Sequence, residues 1–266
     1  GFLSSPTDVP ENITSSDGTT RELKDALQRA NHLLGGVEFD PAPDITVNVE
    51  GWFKDFRQVT NLNRNKIYDD SPQFADKPEE LRKDFIVETG NAYGADVALK
   101  YEKGGAYFWA VYSLSFVTRD DGRIEYAPIW DRRHNVNLLA SYTFGRFDSW
   151  KASVRFNFGS GFPFTQTQGF YEGDPFYGQI GTDYWSSNGE LTTIYARLND
   201  GRLPDYARVD LGLTKTWKLD ERQTVQVDAG VTNALDRDNI FYFDRVRYRR
   251  VDQLPILPSL GVSYSF

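Results

Sequence analysis

Nine segments of this chain alternate apolar with polar residues, and the links between them alternate between short and long. The segments are 32–39, 45–53, 93–101, 106–117, 135–144, 150–158, 207–217, 224–232 and 259–266. In the sixth, Trp150, Ala152, Val154, Phe156 and Phe158 share one parity, and Lys151, Ser153, Arg155 and Asn157 share the other. Successive side chains of a strand point to opposite faces, so each segment reads as a two-faced β-strand. Short links follow the first, third, fifth and seventh segments. Long, polar links near 58–91, 118–131, 159–205 and 233–256 follow the second, fourth, sixth and eighth. A soluble sandwich has no reason to sort its loops by length onto alternate ends. A barrel that crosses a membrane does, with short turns on one side and long loops on the other. The predicted fold class is therefore all-β, an antiparallel transmembrane β-barrel. Parity assigns Val47, Val97, Leu99, Leu138, Val154, Phe156, Leu211, Leu213 and Val227 to the lipid face. It assigns Asp96, Lys100, Arg155, Arg208, Asp210 and Asp228 to the lumen.

Composition supports this pattern. Aromatic residues make up 15% of the chain, enough for girdles at two membrane interfaces. Mean hydropathy is nonetheless -0.54, and no run approaches the roughly 20 apolar residues of a membrane helix. Both follow if every second strand residue is polar. The absence of cysteine excludes a disulfide framework and a cysteine-ligated metal, and no metal or cofactor is expected. The chain has no methionine and begins at Gly1 without a charged and apolar leader, so it reads as a processed or partial polypeptide. A net charge of -8 argues against a nucleic-acid partner.

Nine strands is an odd count, whereas single-chain bacterial barrels usually have an even one. An antiparallel sheet of nine cannot close on itself with its outer strands antiparallel. Residues 1–27 read as an extracellular loop segment, and 28–266 as the C-terminal part of a larger barrel. The lipid bilayer and further strands of the same barrel are expected partners. The chain ends on Phe266, on the short-link side. Its terminal segment, Ser259-Leu260-Gly261-Val262-Ser263-Tyr264-Ser265-Phe266, resembles the C-terminal assembly signal of bacterial outer-membrane proteins.

An ordered series of short stretches resembles the C-terminal barrel region of TonB-dependent outer-membrane receptors. Tyr93-Gly94-Ala95-Asp96 resembles the family's aromatic-Gly-x-Glu/Asp strand start, and Tyr112-Ser113-Leu114-Ser115 its Tyr-Ser-Leu-Ser strand. Asp131-Arg132-Arg133-His134-Asn135-Val136-Asn137 and Gly159-Ser160-Gly161-Phe162-Pro163-Phe164-Thr165 follow. Leu203-Pro204-Asp205-Tyr206-Ala207-Arg208-Val209-Asp210 and Asn233-Ala234-Leu235-Asp236-Arg237-Asp238-Asn239 complete the series. The resemblance implies a 22-stranded barrel filled by an N-terminal plug. It implies active, non-enzymatic uptake of a nutrient such as an iron chelate, glycan or peptide through the bacterial outer membrane. Its implied partners are the plug, the TonB complex acting through the plug, and a surface lipoprotein. Plug, TonB box and the first strands lie outside this sequence. A structural or adhesive barrel that only displays its loops is the alternative.

The aromatic-rich stretch 159–205 is the best candidate for ligand contact. Phe170, Tyr171, Phe176, Tyr177, Tyr184 and Trp185 are its candidate binding residues, with Glu172, Asp174 and Asp183 among them. Aromatic faces beside carboxylates can stack on sugars or aromatic chelators; equally, they can pack together to keep a long loop compact. An outer-membrane hydrolase would need a serine poised on a histidine, and His134 is the candidate, but a charged loop end explains Arg132-Arg133-His134 without catalysis. Residues 240–248 are expected to form a hairpin above the membrane.

Overall fold

The computed structural model describes residues 12–14, 20–22, 27–173, 190–220, 222–244, 247 and 249–266. Nine long strands dominate it. They are β1 (Arg29–Ala42), β2 (Ile45–Leu62), β3 (Phe85–Lys103), β4 (Ala106–Asp120), β5 (His134–Phe144), β6 (Trp150–Gly159), β7 (Tyr206–Lys218), β8 (Thr224–Thr232) and β9 (Leu257–Ser265). Each pairs antiparallel with its neighbours in chain order, so the nine form a single meander. β1 and β9 form the two outer edges and do not pair with each other.

The register joins the stripes of single strands into a continuous apolar face. One row reads Phe39, Val47, Leu99, Ala110, Leu138, Phe156, Val209 from β1 to β7. Another reads Tyr142, Ala152, Leu213, Ala229, Leu260 from β5 to β9. Directly opposed residues of an antiparallel pair share a face. The other face is polar, as in the row Glu50, Asp96, Ser113, Asn135. Aromatic rings collect at both ends of the apolar face. Phe53, Tyr93 and Phe116 lie in register near the long-loop end, and Phe144 and Trp150 near the short-link end.

The apolar face is uncovered. Val154 is 38% exposed, Leu211 45% and Val262 70%. The buried apolar side chains among the described residues, Ile86, Val87, Ala92, Tyr126, Pro128 and Pro163, lie at or beyond the upper aromatic row. A water-soluble sheet buries such a stripe; large contiguous exposed apolar surface marks contact with another apolar phase. Here that phase is lipid, and the fold is an antiparallel transmembrane sheet of barrel type.

β2 and β3 extend beyond the alternating segments read from sequence. They remain paired from Val59–Glu88 to Leu62–Phe85, past a register shift between Phe56 and Val59. The intervening residues, 63–84, carry two single 3-10 turns, Pro72–Phe74 and Glu79–Leu81. Short hairpins cap the other long links. Thr167–Gly173 pairs with Glu190–Tyr195, Ile240–Asp244 with Arg249–Asp252, and Asn12–Thr14 with Thr20–Glu22. Pro163–Phe164 pairs with Gly201–Arg202, and Glu125–Tyr126 folds back onto β4.

Candidate functional site at the long-loop rim

Most of the motif stretches converge where the strands give way to loops. Asp131 is completely buried. Its carboxylate accepts from Arg202, from Arg133 at 3.1 Å and from the backbone N–H of Val117 at 3.1 Å. Arg202 also donates to the carbonyls of Asp131 at 2.6 Å and Gly161 at 3.3 Å. Asp205 accepts from the N–H of Gly161 at 3.0 Å. The amide of Asn239 donates to the Ala207 carbonyl at 2.8 Å and accepts from the Ala207 N–H at 2.9 Å, so one side chain mimics a strand partner. Asn233, buried and with φ of 53°, donates its backbone N–H to Asp210 and its amide to the carbonyls of Arg237 and Leu254. Asn199 ties the 160–205 link to the carbonyl of Ala127 at 2.9 Å. These residues satisfy loop backbone groups that would otherwise lie buried and unpaired. The network fixes three loops to the sheet and ties the 160–205 link to residues 127–133.

Two glycines show why the stretches read as they do. A Cβ at Gly94 would come within 2.7 Å of the Trp52 ring. That ring lies across the strand and donates its indole N–H to Asp96 at 2.8 Å. A Cβ at Gly159 would run into the guanidinium of Arg132, which lies 4.0 Å from the Phe162 ring centre.

A second polar cluster braces the extended part of β2 and β3. Glu88, 2% exposed, accepts from the Tyr126 hydroxyl at 2.6 Å and from Arg64 at 3.0 Å. Arg64 also reaches Asp121 at 2.8 Å and lies 4.6 Å from the Tyr126 ring centre. Burial, reinforced by the hydrogen bond to Glu88, pushes the Tyr126 phenol up to about 12. In the 63–84 link, a hydrogen bond from Lys83, backed by Arg82, holds the Asp70 carboxyl below its ordinary range.

Asp96, Lys100, Arg155, Arg208, Asp210 and Asp228 all fall on the polar face. Several are engaged within the wall. Arg208 pairs with Asp210 at 2.9 Å, Lys100 with Glu102 at 2.9 Å, and Asp228 accepts from Thr214 at 2.6 Å.

Of the candidate aromatic residues, Phe170 and Tyr171 lie on the Thr167–Gly173 strand. Phe176, Tyr177, Tyr184 and Trp185 lie outside the described residues. The clefts at the rim form around other rings. Phe164 and Phe243, from different loops, meet at 5.8 Å beside a cleft of about 370 Å³ that Gln166 and Asp244 also line. A cleft of about 600 Å³ is lined by Arg208, Asn239, Phe241 and Asp252. The 240–252 hairpin is rich in both rings and cations. Phe241 and Tyr242 are exposed, Arg247 lies 3.8 Å from Asp244, and Arg250 lies 2.5 Å from Asp252. The expected hairpin is present, and its basic character was not anticipated. The signal was present: Phe241-Tyr242-Phe243-Asp244-Arg245-Val246-Arg247-Tyr248-Arg249-Arg250 concentrates arginine in a chain of net charge -8.

The His134 ring is engaged by a tyrosine. Its Nδ1 lies 2.9 Å from the Tyr112 hydroxyl. The nearby Ser160 hydroxyl accepts from the His134 backbone N–H at 3.0 Å and not from the ring.

This sheet, with its bare apolar face, polar opposite face and braced loops, has the architecture of a section of a membrane-spanning barrel wall. Among solved structures, the chain is similar to the ferripyoverdine receptor of the outer membrane of Pseudomonas aeruginosa bound to ferripyoverdine. The TM-score is 0.54 at 13% identity, over 96% of this chain and 28% of that one. It is equally similar to the pyoverdine outer membrane receptor FpvA from Pseudomonas aeruginosa PAO1 bound to pyoverdine, with a TM-score of 0.54 at 13% identity, over 90% and 30% of the two chains. The FpvAI–pyocin S2 complex matches with a TM-score of 0.53 at 12% identity, over 90% and 27%. The chain has the fold of a barrel fragment of such a TonB-dependent receptor and spans less than a third of the length of these chains. The sequence matches no family model, and no curated protein matches it.

Proposed function

We propose that this chain supplies barrel wall and extracellular loops to an outer-membrane receptor that imports a nutrient. The observation that carries this reading is the uncovered apolar face opposite a polar one, with braced loops confined to one end. The long loops face the cell exterior, and the short links face the periplasm. The polar face, including Asp96, Arg155 and Arg208, lines a lumen that a plug occupies, and the TonB complex acts on that plug. The Phe164–Phe243 cleft and the arginines of the 240–252 hairpin form the ligand-facing rim, joined by Phe170 and Tyr171. Among iron chelates, glycans and peptides, rings interleaved with arginines favour an anionic ligand with a flat face. An iron chelate answers that description; one similar receptor is bound to ferripyoverdine and another to pyoverdine.

The test uses the intact protein in cells stripped of their own siderophore receptors. Radioiron is offered on anionic siderophores, and labelled oligosaccharides and peptides are offered in parallel. The expected result is accumulation of one class that stops when the proton-motive force is collapsed. Deleting residues 170–190 should leave the barrel assembled and change that uptake. Accumulation indifferent to the collapse, or none of any class, overturns the reading.

A further inference from the structure

One lysine breaks the outward apolar face near the short-link end. Lys215 of β7 stands in register with Trp150 of β6 and Val227 of β8, on the parity of Leu211 and Leu213. Its ammonium lies 4.7 Å from the Trp150 ring centre and 5.5 Å from that of Trp217. It donates to the Ser149 hydroxyl at 2.8 Å. The rings extend along the sheet, with Trp150 stacked on Phe144 at 6.3 Å and Phe144 on Tyr142 at 6.0 Å. Ser149 closes the turn 145–149, which also carries Arg146. Arg146 is exposed, with its guanidinium 5.0 Å from the ring centre of Phe147.

Rings and a hydroxyl orient a cation and do not neutralise it. Among the described residues no carboxylate pairs with Lys215 or Arg146. Asp148, in the same turn, lines a cleft with Ser141, Lys151 and Thr214 of the polar face. Lys215 is therefore presented at the outward edge of an aromatic row, and Arg146 in the exposed turn that follows β5, both without a counter-charge among the described residues. Tryptophan rows of this kind sit at the level of lipid headgroups, and lysines beside them extend toward that level.

We propose that Lys215 and Arg146 hold the phosphate of a glycerophospholipid of the periplasmic leaflet, with an acyl chain lying along Leu213 and Leu211. Lys215 stands on the outward apolar parity beside Trp150, where a headgroup can reach it together with its acyl chains. The inference rests on the outward face meeting lipid. It is independent of any transported ligand, so failure of the uptake experiment leaves it untouched.

The intact protein, delipidated in detergent, is titrated with phosphatidylglycerol and followed by native mass spectrometry. Uncharged diacylglycerol and millimolar inorganic phosphate serve as the other arms. Phosphatidylglycerol should bind and diacylglycerol should not, and inorganic phosphate should not displace the lipid. Lys215→Gln and Arg146→Gln should each weaken binding about five-fold, as expected for one cation at a headgroup surface. Lys215→Arg should restore it. If Lys215→Gln does not assemble, Arg146→Gln, in an exposed turn, carries the test. Equal binding in the variants, or displacement by inorganic phosphate, overturns the proposal.

Discussion

Adjacent residues of one strand make the sharpest probe of facing. Val154 lies on the apolar parity and Ser153 on the polar one, within β6. Val154→Arg should cost about 2–4 kcal/mol at the midplane of the membrane face, and Ser153→Arg little. Refolding from urea into vesicles measures both; equal costs would overturn the facing assignment. Tyr126 is a second probe, in the extension above the membrane. Its phenol is raised to about 12, above the ordinary 10. Its stabilising contribution is therefore complete below pH 10 and is lost as pH rises through about 12. Ultraviolet titration should find one tyrosine ionising last, and Tyr126→Phe should remove that phase. At this scale the sequence was legible through parity alone. The Trp52–Gly94–Asp96 contact was not, because it depends on which residues of β2 and β3 lie opposite one another.

The elements divide at the upper aromatic row. Below it, one face meets lipid and the other is polar, so the alternation is strong and the strand centres were readable. Above it, both faces of β2 and β3 meet water or loops. The apolar stripe stops while the backbone pairing continues to Leu62 and Phe85, which is why residues 58–91 read as loop. The motif stretches were also readable as an ordered series, yet their shared purpose was not. Asp131 and Arg202 lie 71 residues apart and meet only once the sheet has formed. Asp131→Ala should remove the brace on the 160–205 link at a loss of about 1.5–3 kcal/mol, the usual worth of hydrogen bonds to a charged group. Limited proteolysis of whole cells should then cut within 160–205 faster, with the strands still resistant. Unchanged cutting would mean that the brace is redundant. The Phe164–Phe243 contact was the least legible feature, because the two rings come together from separate loops.

For the molecule as a whole, the unpaired edges of β1 and β9 set the terms. In hydrocarbon each unsatisfied backbone N–H or C=O costs several kcal/mol, so an open sheet edge is not viable there. Both edges require strands from beyond the nine. Residues 1–266, exported alone with a signal peptide, should yield no monomeric, heat-modifiable, protease-resistant barrel. A compact resistant monomer would show that the nine strands close by themselves.

The extension of β2 and β3 also sets an electrical distance. From Tyr93 to Phe85, at about 3.4 Å per residue and a tilt near 40°, the wall rises roughly 20 Å above the upper aromatic row. The headgroup zone takes up only about 5–7 Å of that height. The remainder exceeds the Debye length of about 8 Å at physiological salt. The cations of the 63–84 link, carried at this height, would act on an approaching anion with the membrane's own negative charge largely screened from view. Capture at the rim should therefore follow ionic strength through the loop cations and stay insensitive to the charge of the lipids around the barrel.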